Sequence, residues 1–152
     1  YVNTSSDTVT EDPSKGTDIV YSSVTLTTPN NVENLTLLGS NGIDGVGNDL
    51  GNTIRGNIGN NELSGGDGTD ILYGNNGDDT LNGGNNNDIL YGGAGDDTLN
   101  GNGDIDKMFG GDGNDTYSFE EGWTGTVTID SGGGNDEYIV DGFEEDYESR
   151  CN

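Results

Sequence analysis

From residue 47 to residue 118 the chain falls into eight consecutive nonapeptides without a gap. They begin at Gly47, Gly56, Gly65, Gly74, Gly83, Gly92, Gly101 and Gly110. The sixth position is Asn52, Asn61, Asp70, Asp79, Asp88, Asp97, Asp106 and Asp115. The eighth is Ile54, Leu63, Leu72, Leu81, Leu90, Leu99, Met108 and Tyr117. A period this short and regular constrains the fold more than any other feature, because one nonamer cannot bury its single large apolar side chain alone. Stacked copies can. Solvated low-complexity coil is the competing reading of a Gly/Asp/Asn-rich tract, but coil has no need of an apolar residue at every eighth position.

Within a nonamer, the first six residues suit a turn, since Gly and less easily Asn accept positive φ. The last three favour a short strand, as in Ile71-Leu72-Tyr73. Two nonamers then make one 18-residue coil, strand-turn-strand-turn, and residues i and i+18 lie side by side in a flattened parallel β-helix. The eighth-position side chains form an internal ladder. One edge stacks Asn52, Asp70, Asp88 and Asp106, and the other Asn61, Asp79, Asp97 and Asp115. Carboxylates a strand spacing apart repel unless a cation lies between them. Ca²⁺ takes six to eight oxygens, backbone carbonyls included, which glycine turns leave accessible.

Composition agrees. The 152 residues hold 29 Gly, with 29 Asp+Glu against 4 Lys+Arg, for a formal net charge of -25. Leu, Ile, Val and Phe reach only about 20%, too little for a conventional core. Without a bound cation the chain is expected to be coil. The charge opposes binding to nucleic acid or to an anionic membrane surface, and no apolar run is long enough to insert in a bilayer. The absence of histidine removes the Ser-His-Asp triad and the usual zinc sites. Cys151 has no partner for an internal disulfide. Acid pairs such as Asp78-Asp79 and Asp96-Asp97 resemble glycosidase carboxylates, but their repetition argues against a unique catalytic pair, and this segment is not expected to be an enzyme.

The nonamers resemble the RTX (repeats-in-toxin) repeat, GGxGxDxUx, of calcium-binding β-rolls. Residues 65–70, 92–97 and 110–115 match GGxGxD in full. The resemblance implies an all-β, right-handed parallel β-roll with Ca²⁺ between stacked turns. It implies that each ion is held by loop carbonyls and by the sixth-position Asp of neighbouring coils. Carried onto this sequence, the turn residues are Gly65, Gly66, Gly68, Gly74, Gly77, Gly83, Gly92, Gly93, Gly95, Gly110, Gly111 and Gly113. The carboxylate pairs are Asp70/Asp88, Asp88/Asp106, Asp79/Asp97 and Asp97/Asp115, with Asn52/Asp70 and Asn61/Asp79 as weaker sites, for about four to six ions in all. Leu50, Asn86 and Asp104 stand where the repeat has its fourth-position Gly, and Asp104 puts the Asp88/Asp106 site in question.

The resemblance also implies a bacterial protein exported by type I secretion that folds outside the cell. Two roles follow: a structural or adhesive module of a secreted or surface protein, or the non-catalytic C-terminal calcium module of a secreted protease, lipase or alginate epimerase.

The flanks differ. Residues 1–46 are richer in Thr, Val and Leu, with strands expected at 18–21, 23–27 and 32–38 and a turn at 29–31. They are expected to continue the stack without metal, as an N-terminal cap. Residues 119–152 are expected to cap the other end with Phe119, Trp123, Val127 and Ile129, ahead of an acidic tail. They contain an isolated ninth copy at 131–139, with Asp136 sixth and Tyr138 eighth. Asp136 follows Asp115 by 21 residues rather than 18, so a further site there would need a bulge. Similar runs near residues 1–20 and 117–140 suggest one segment of a longer tandem protein, or self-association into a longer array. Tyr73, Tyr91 and Tyr117 could contact surface glycans, but the 18-residue spacing of Tyr73 and Tyr91 predicts a stacked ladder on the strand surface.

Overall fold

The computed structural model describes residues 1–12, 16–119 and 128–140. Fourteen strands form two parallel seven-stranded sheets. The first sheet runs in the order β1 (Ile19–Ser22), β3 (Asn34–Leu37), β5 (Thr53–Arg55), β7 (Ile71–Asn76), β9 (Ile89–Ala94), β11 (Lys107–Asp112) and β13 (Thr128–Gly133). The second runs β2 (Leu26–Thr27), β4 (Gly45–Val46), β6 (Glu62–Gly66), β8 (Thr80–Gly84), β10 (Thr98–Asn102), β12 (Thr116–Phe119) and β14 (Glu137–Val140). The chain alternates between the sheets at every strand, so two strands and two turns complete each coil. This is a parallel β-solenoid, consistent with a β-roll, and the described residues contain no helix.

The 18-residue period is met residue for residue across the repeat. Ile71, Leu72 and Tyr73 pair with Ile89, Leu90 and Tyr91, which pair in turn with Lys107, Met108 and Phe109. Leu63, Leu81, Leu99 and Tyr117 align in the other sheet. All eight eighth-position side chains are fully buried in one cluster to which both sheets contribute. Tyr117, the largest of them, buries a hydroxyl as well, and that oxygen accepts the Gly110 N–H at 2.9 Å.

The ladder sets an energetic expectation. Leu81 packs between Leu63 and Leu99 with no exposed surface. Leu81→Ala is expected to cost about 2–5 kcal/mol, read by denaturant unfolding in saturating calcium. Ile105 is 54% exposed in a turn, and Ile105→Ala is expected to stay within about 0.5 kcal/mol of the parent.

Before residue 47 the coils are irregular. Ile19 pairs with Asn34, 15 residues on, and Asn34 with Thr53, 19 on. Val20, Leu35 and Leu37 nevertheless extend the same core. The turn expected at 29–31 is present, with Asn31 at φ 66°. The strand expected at 23–27 shrinks to Leu26–Thr27. Its first half is diverted by a local bend, in which the Ser22 hydroxyl accepts from the Val24 N–H and donates to the Val24 carbonyl.

At the C-terminal end β11 and β12 pair with β13 and β14 at a spacing of 21. No bulge is needed within these strands, because both pairs carry the same offset and the three additional residues fall between Phe119 and Thr128. Tyr138 does not enter the core as the pattern predicts. It lies on the last strand of its sheet, 51% exposed, stacked on Tyr117 at 5.1 Å. Trp123, Val127, the tail from residue 141 and Cys151 lie outside the described residues.

The outward tyrosine ladder is present and longer than predicted. Tyr73 stacks on Tyr91 at 4.9 Å, Tyr91 on Phe109 at 4.8 Å, and the Arg55 guanidinium sits 4.0 Å from the Tyr73 ring centre. The rings stack face to face along the ladder.

Candidate metal centre

Each turn is shaped by its first and sixth residues. At Gly65, Gly74, Gly83, Gly92 and Gly110 an added Cβ would collide with the carboxylate of Asp70, Asp79, Asp88, Asp97 and Asp115 respectively. The carboxylate therefore occupies space that only glycine leaves open. From the third nonamer on the fourth position takes a left-handed backbone, and Gly68, Gly77, Gly95 and Gly113 supply it at φ between 112° and 136°. Asn86 and Asp104 adopt the same conformation at 77° and 72°, so the turns they occupy keep their shape. The carbonyls of second- and fourth-position residues lie against the next coil. That of Gly66 faces Gly84, that of Gly77 faces Gly95, that of Gly93 faces Gly111, and that of Gly95 faces Gly113.

The sixth-position carboxylates line up inside both edges, each 0–1% exposed from Asp70 through Asp115. Each Oδ1 accepts the backbone N–H of the sixth residue one coil earlier. On one edge Asn52 donates to Asp70 at 2.6 Å, Asp70 to Asp88 at 2.8 Å and Asp88 to Asp106 at 2.9 Å. On the other Asn61 donates to Asp79 at 2.7 Å, Asp79 to Asp97 at 2.8 Å and Asp97 to Asp115 at 3.0 Å. Asp115 donates to Asp136 at 3.0 Å across 21 residues, so the ninth copy continues the ladder. The Asp88/Asp106 pair is intact despite Asp104.

The second oxygen is different. The Oδ2 atoms of Asp70, Asp79, Asp88, Asp97 and Asp115 are buried without a hydrogen-bond partner. An unpaired buried carboxylate oxygen is costly. Burial pushes Asp88 and Asp97 up to about 7, and the carboxylates of adjacent coils add to the shift. Burial likewise pushes Asp70, Asp79 and Asp106 up to about 6, and raises Asp115. In each case the backbone N–H from the preceding coil offsets part of the rise.

A cation among these oxygens would remove both the vacant acceptor and the repulsion. The donors are all hard oxygens, carboxylate and carbonyl, which fits calcium and not a thiophilic or imidazole-seeking metal. Among the described residues no three His, Cys, Asp or Glu side chains converge on one point. Any ion in these turns therefore needs backbone carbonyls to complete its shell.

The first coil is built otherwise. Asn52 Oδ1 accepts the Asn48 N–H at 2.7 Å, and its amide donates to the carbonyls of Val32 and Glu33. Asn61 repeats the arrangement with the Asn57 N–H at 2.8 Å and the Ile43 carbonyl. The side chains of Asn48 and Asn57 reach back to Pro29 and Val32 and to Leu38 and Asn41. Asn48 and Asn57 were not among the predicted site residues, although an Asn at both second and sixth positions was the available signal. A second, outer ladder was also missed. Asp78 Oδ1 accepts the Asp96 N–H and Asp96 Oδ1 the Asn114 N–H, at 3.0 and 2.8 Å.

A parallel two-sheet coil whose turns stack buried carboxylates beside backbone carbonyls defines a class, the cation-binding β-roll. The model of the RTX calcium-binding nonapeptide repeat, which spans four copies, matches residues 46–81, 73–108 and 82–117. Over residues 46–117 the chain belongs to this family of calcium-binding repeats. No curated protein and no solved structure matches the chain. No helix among the described residues is long and apolar enough to cross a membrane.

Proposed function

We propose that the chain is a calcium-folded structural module of a secreted or cell-surface protein, with the sixth-position aspartates as its ligands. The observation that carries the reading is the five buried Oδ2 atoms without partners, in rows along both edges beside carbonyls of the neighbouring coil. Inside a cell, where free calcium is scarce, the acids would repel and the chain would stay extended for export. Outside, the free energy of ion binding becomes free energy of folding. The residues before 47 serve as a cap that extends the core without metal, and the module supplies stiffness or adhesion rather than catalysis.

The test compares three single-charge deletions. Asp79→Ala and Asp97→Ala remove inward ligands, whereas Glu62→Ala removes an exposed charge on β6. The first two are expected to raise the calcium concentration at half-folding about tenfold, equivalent to ~1.4 kcal/mol. Glu62→Ala is expected to leave it unchanged or slightly lower. Equal shifts from all three would mean that calcium acts only by screening the net charge.

A further inference from the structure

We infer that calcium enters five inter-turn gaps among the described residues, and that the first coil of the repeat is closed by asparagine in place of the ion. The inference rests on the calcium reading above and deepens it.

Two sets of residues coincide. A gap flanked by two sixth-position carboxylates occurs at Asp70/Asp88 and Asp88/Asp106 on one edge. On the other edge it occurs at Asp79/Asp97, Asp97/Asp115 and Asp115/Asp136. The leading members of these pairs are Asp70, Asp88, Asp79, Asp97 and Asp115. These are the same five aspartates whose Oδ2 is buried and unpartnered. Asp106, whose counterpart in the next coil lies outside the described residues, is not among them. The out-of-step ninth copy is thus part of the set, because Asp115 carries the same vacant oxygen as the regular positions.

In the first coil the corresponding oxygen has a partner. The Asn48 and Asn57 N–H groups bond the side-chain oxygens of Asn52 and Asn61. The amide NH₂ of each sixth-position Asn meets carbonyls of the preceding coil. An uncharged amide brings its own donors and adds no charge, and here its oxygen is already taken by a backbone N–H, so it does not require a cation. Neither Asn48 nor Asn57 takes the left-handed backbone seen at Gly66, Gly84, Gly93 and Gly111.

Native mass spectrometry of the whole chain, with calorimetric titration of calcium as a second count, tests this. The expected result is at least five ions for the parent, the same number for Asn61→Ala and for Asn52→Ala, and one fewer for Asp136→Asn. The two asparagine variants probe opposite edges, so one suffices if the other does not fold. Fewer than five ions in the parent, or loss of an ion in either asparagine variant, would overturn the inference while leaving the calcium reading standing. Retention of the parent's full number in Asp136→Asn would overturn the ninth-copy site. No specific uptake by the parent would overturn both.

Discussion

Titrating the EDTA-treated chain with calcium is expected to give one cooperative gain of β signal in far-UV circular dichroism, reversed by further EDTA. The argument begins with the thinness of the core. Each nonamer contributes one large buried side chain, which cannot by itself offset the entropy of ordering nine residues. Against folding stand the stacked carboxylates. Two unit charges a strand spacing apart, about 4.8 Å, repel by roughly 3 kcal/mol at an effective dielectric constant of 20. That repulsion recurs along both edges. A divalent ion between adjacent turns turns the repulsion into attraction and also satisfies the vacant Oδ2 atoms. Each coil presents half of the next coil's site, so binding and stacking advance together, which is the source of cooperativity. Magnesium is expected to do little, because it prefers a smaller octahedral shell and retains its waters. A spectrum already rich in β structure in EDTA would show that strand packing holds the fold and that calcium only decorates it. Coil at every calcium concentration would show that the eight repeats cannot nucleate in this chain.

The buried ladder was legible in the sequence because its cause is local and periodic. Leu63, Leu81 and Leu99 recur at 18 and must share a face once the coil closes. The carboxylate ladders were legible for the same reason. What lay beyond the pattern depends on partners that periodicity does not encode. Asn48 and Asn57 close their turns by reaching carbonyls 16 and 19 residues back, in a region with no repeat. Phe109 and Arg55 join the aromatic ladder through the register of the ninth position, which tolerates any flat side chain. The bend at Ser22 turns on one hydroxyl. Asp136 was placed in doubt by a count of 21, yet the additional residues are absorbed between strands and the pairing is regular on either side.

Acidification is expected to change stability in opposite directions with and without calcium. In the metal-free fold the buried aspartates bind protons more tightly than in the unfolded chain. Asp88 and Asp97 are raised to about 7 and Asp70, Asp79 and Asp106 to about 6, against about 3.9 for an exposed Asp. Between these limits the folded state holds more protons than the unfolded state, so the stability of the folded state falls as pH rises. The contribution from protonation is fully present below about pH 4 and is lost as pH climbs through 6 to 7. In EDTA, lowering the pH from about 8 to about 5 should therefore shift the chain toward the fold, read as a gain of β signal in far-UV circular dichroism, as protons take over part of the role of the ion. With calcium saturating, the bound state requires the ionised carboxylates. Protons then compete with the ion, and the same change of pH should lower the unfolding temperature. Calorimetric titrations near pH 6, run in buffers of different ionisation enthalpy, should show protons released as calcium binds. Stability that changes in the same direction in both conditions would mean that the buried Oδ2 atoms are not where calcium acts.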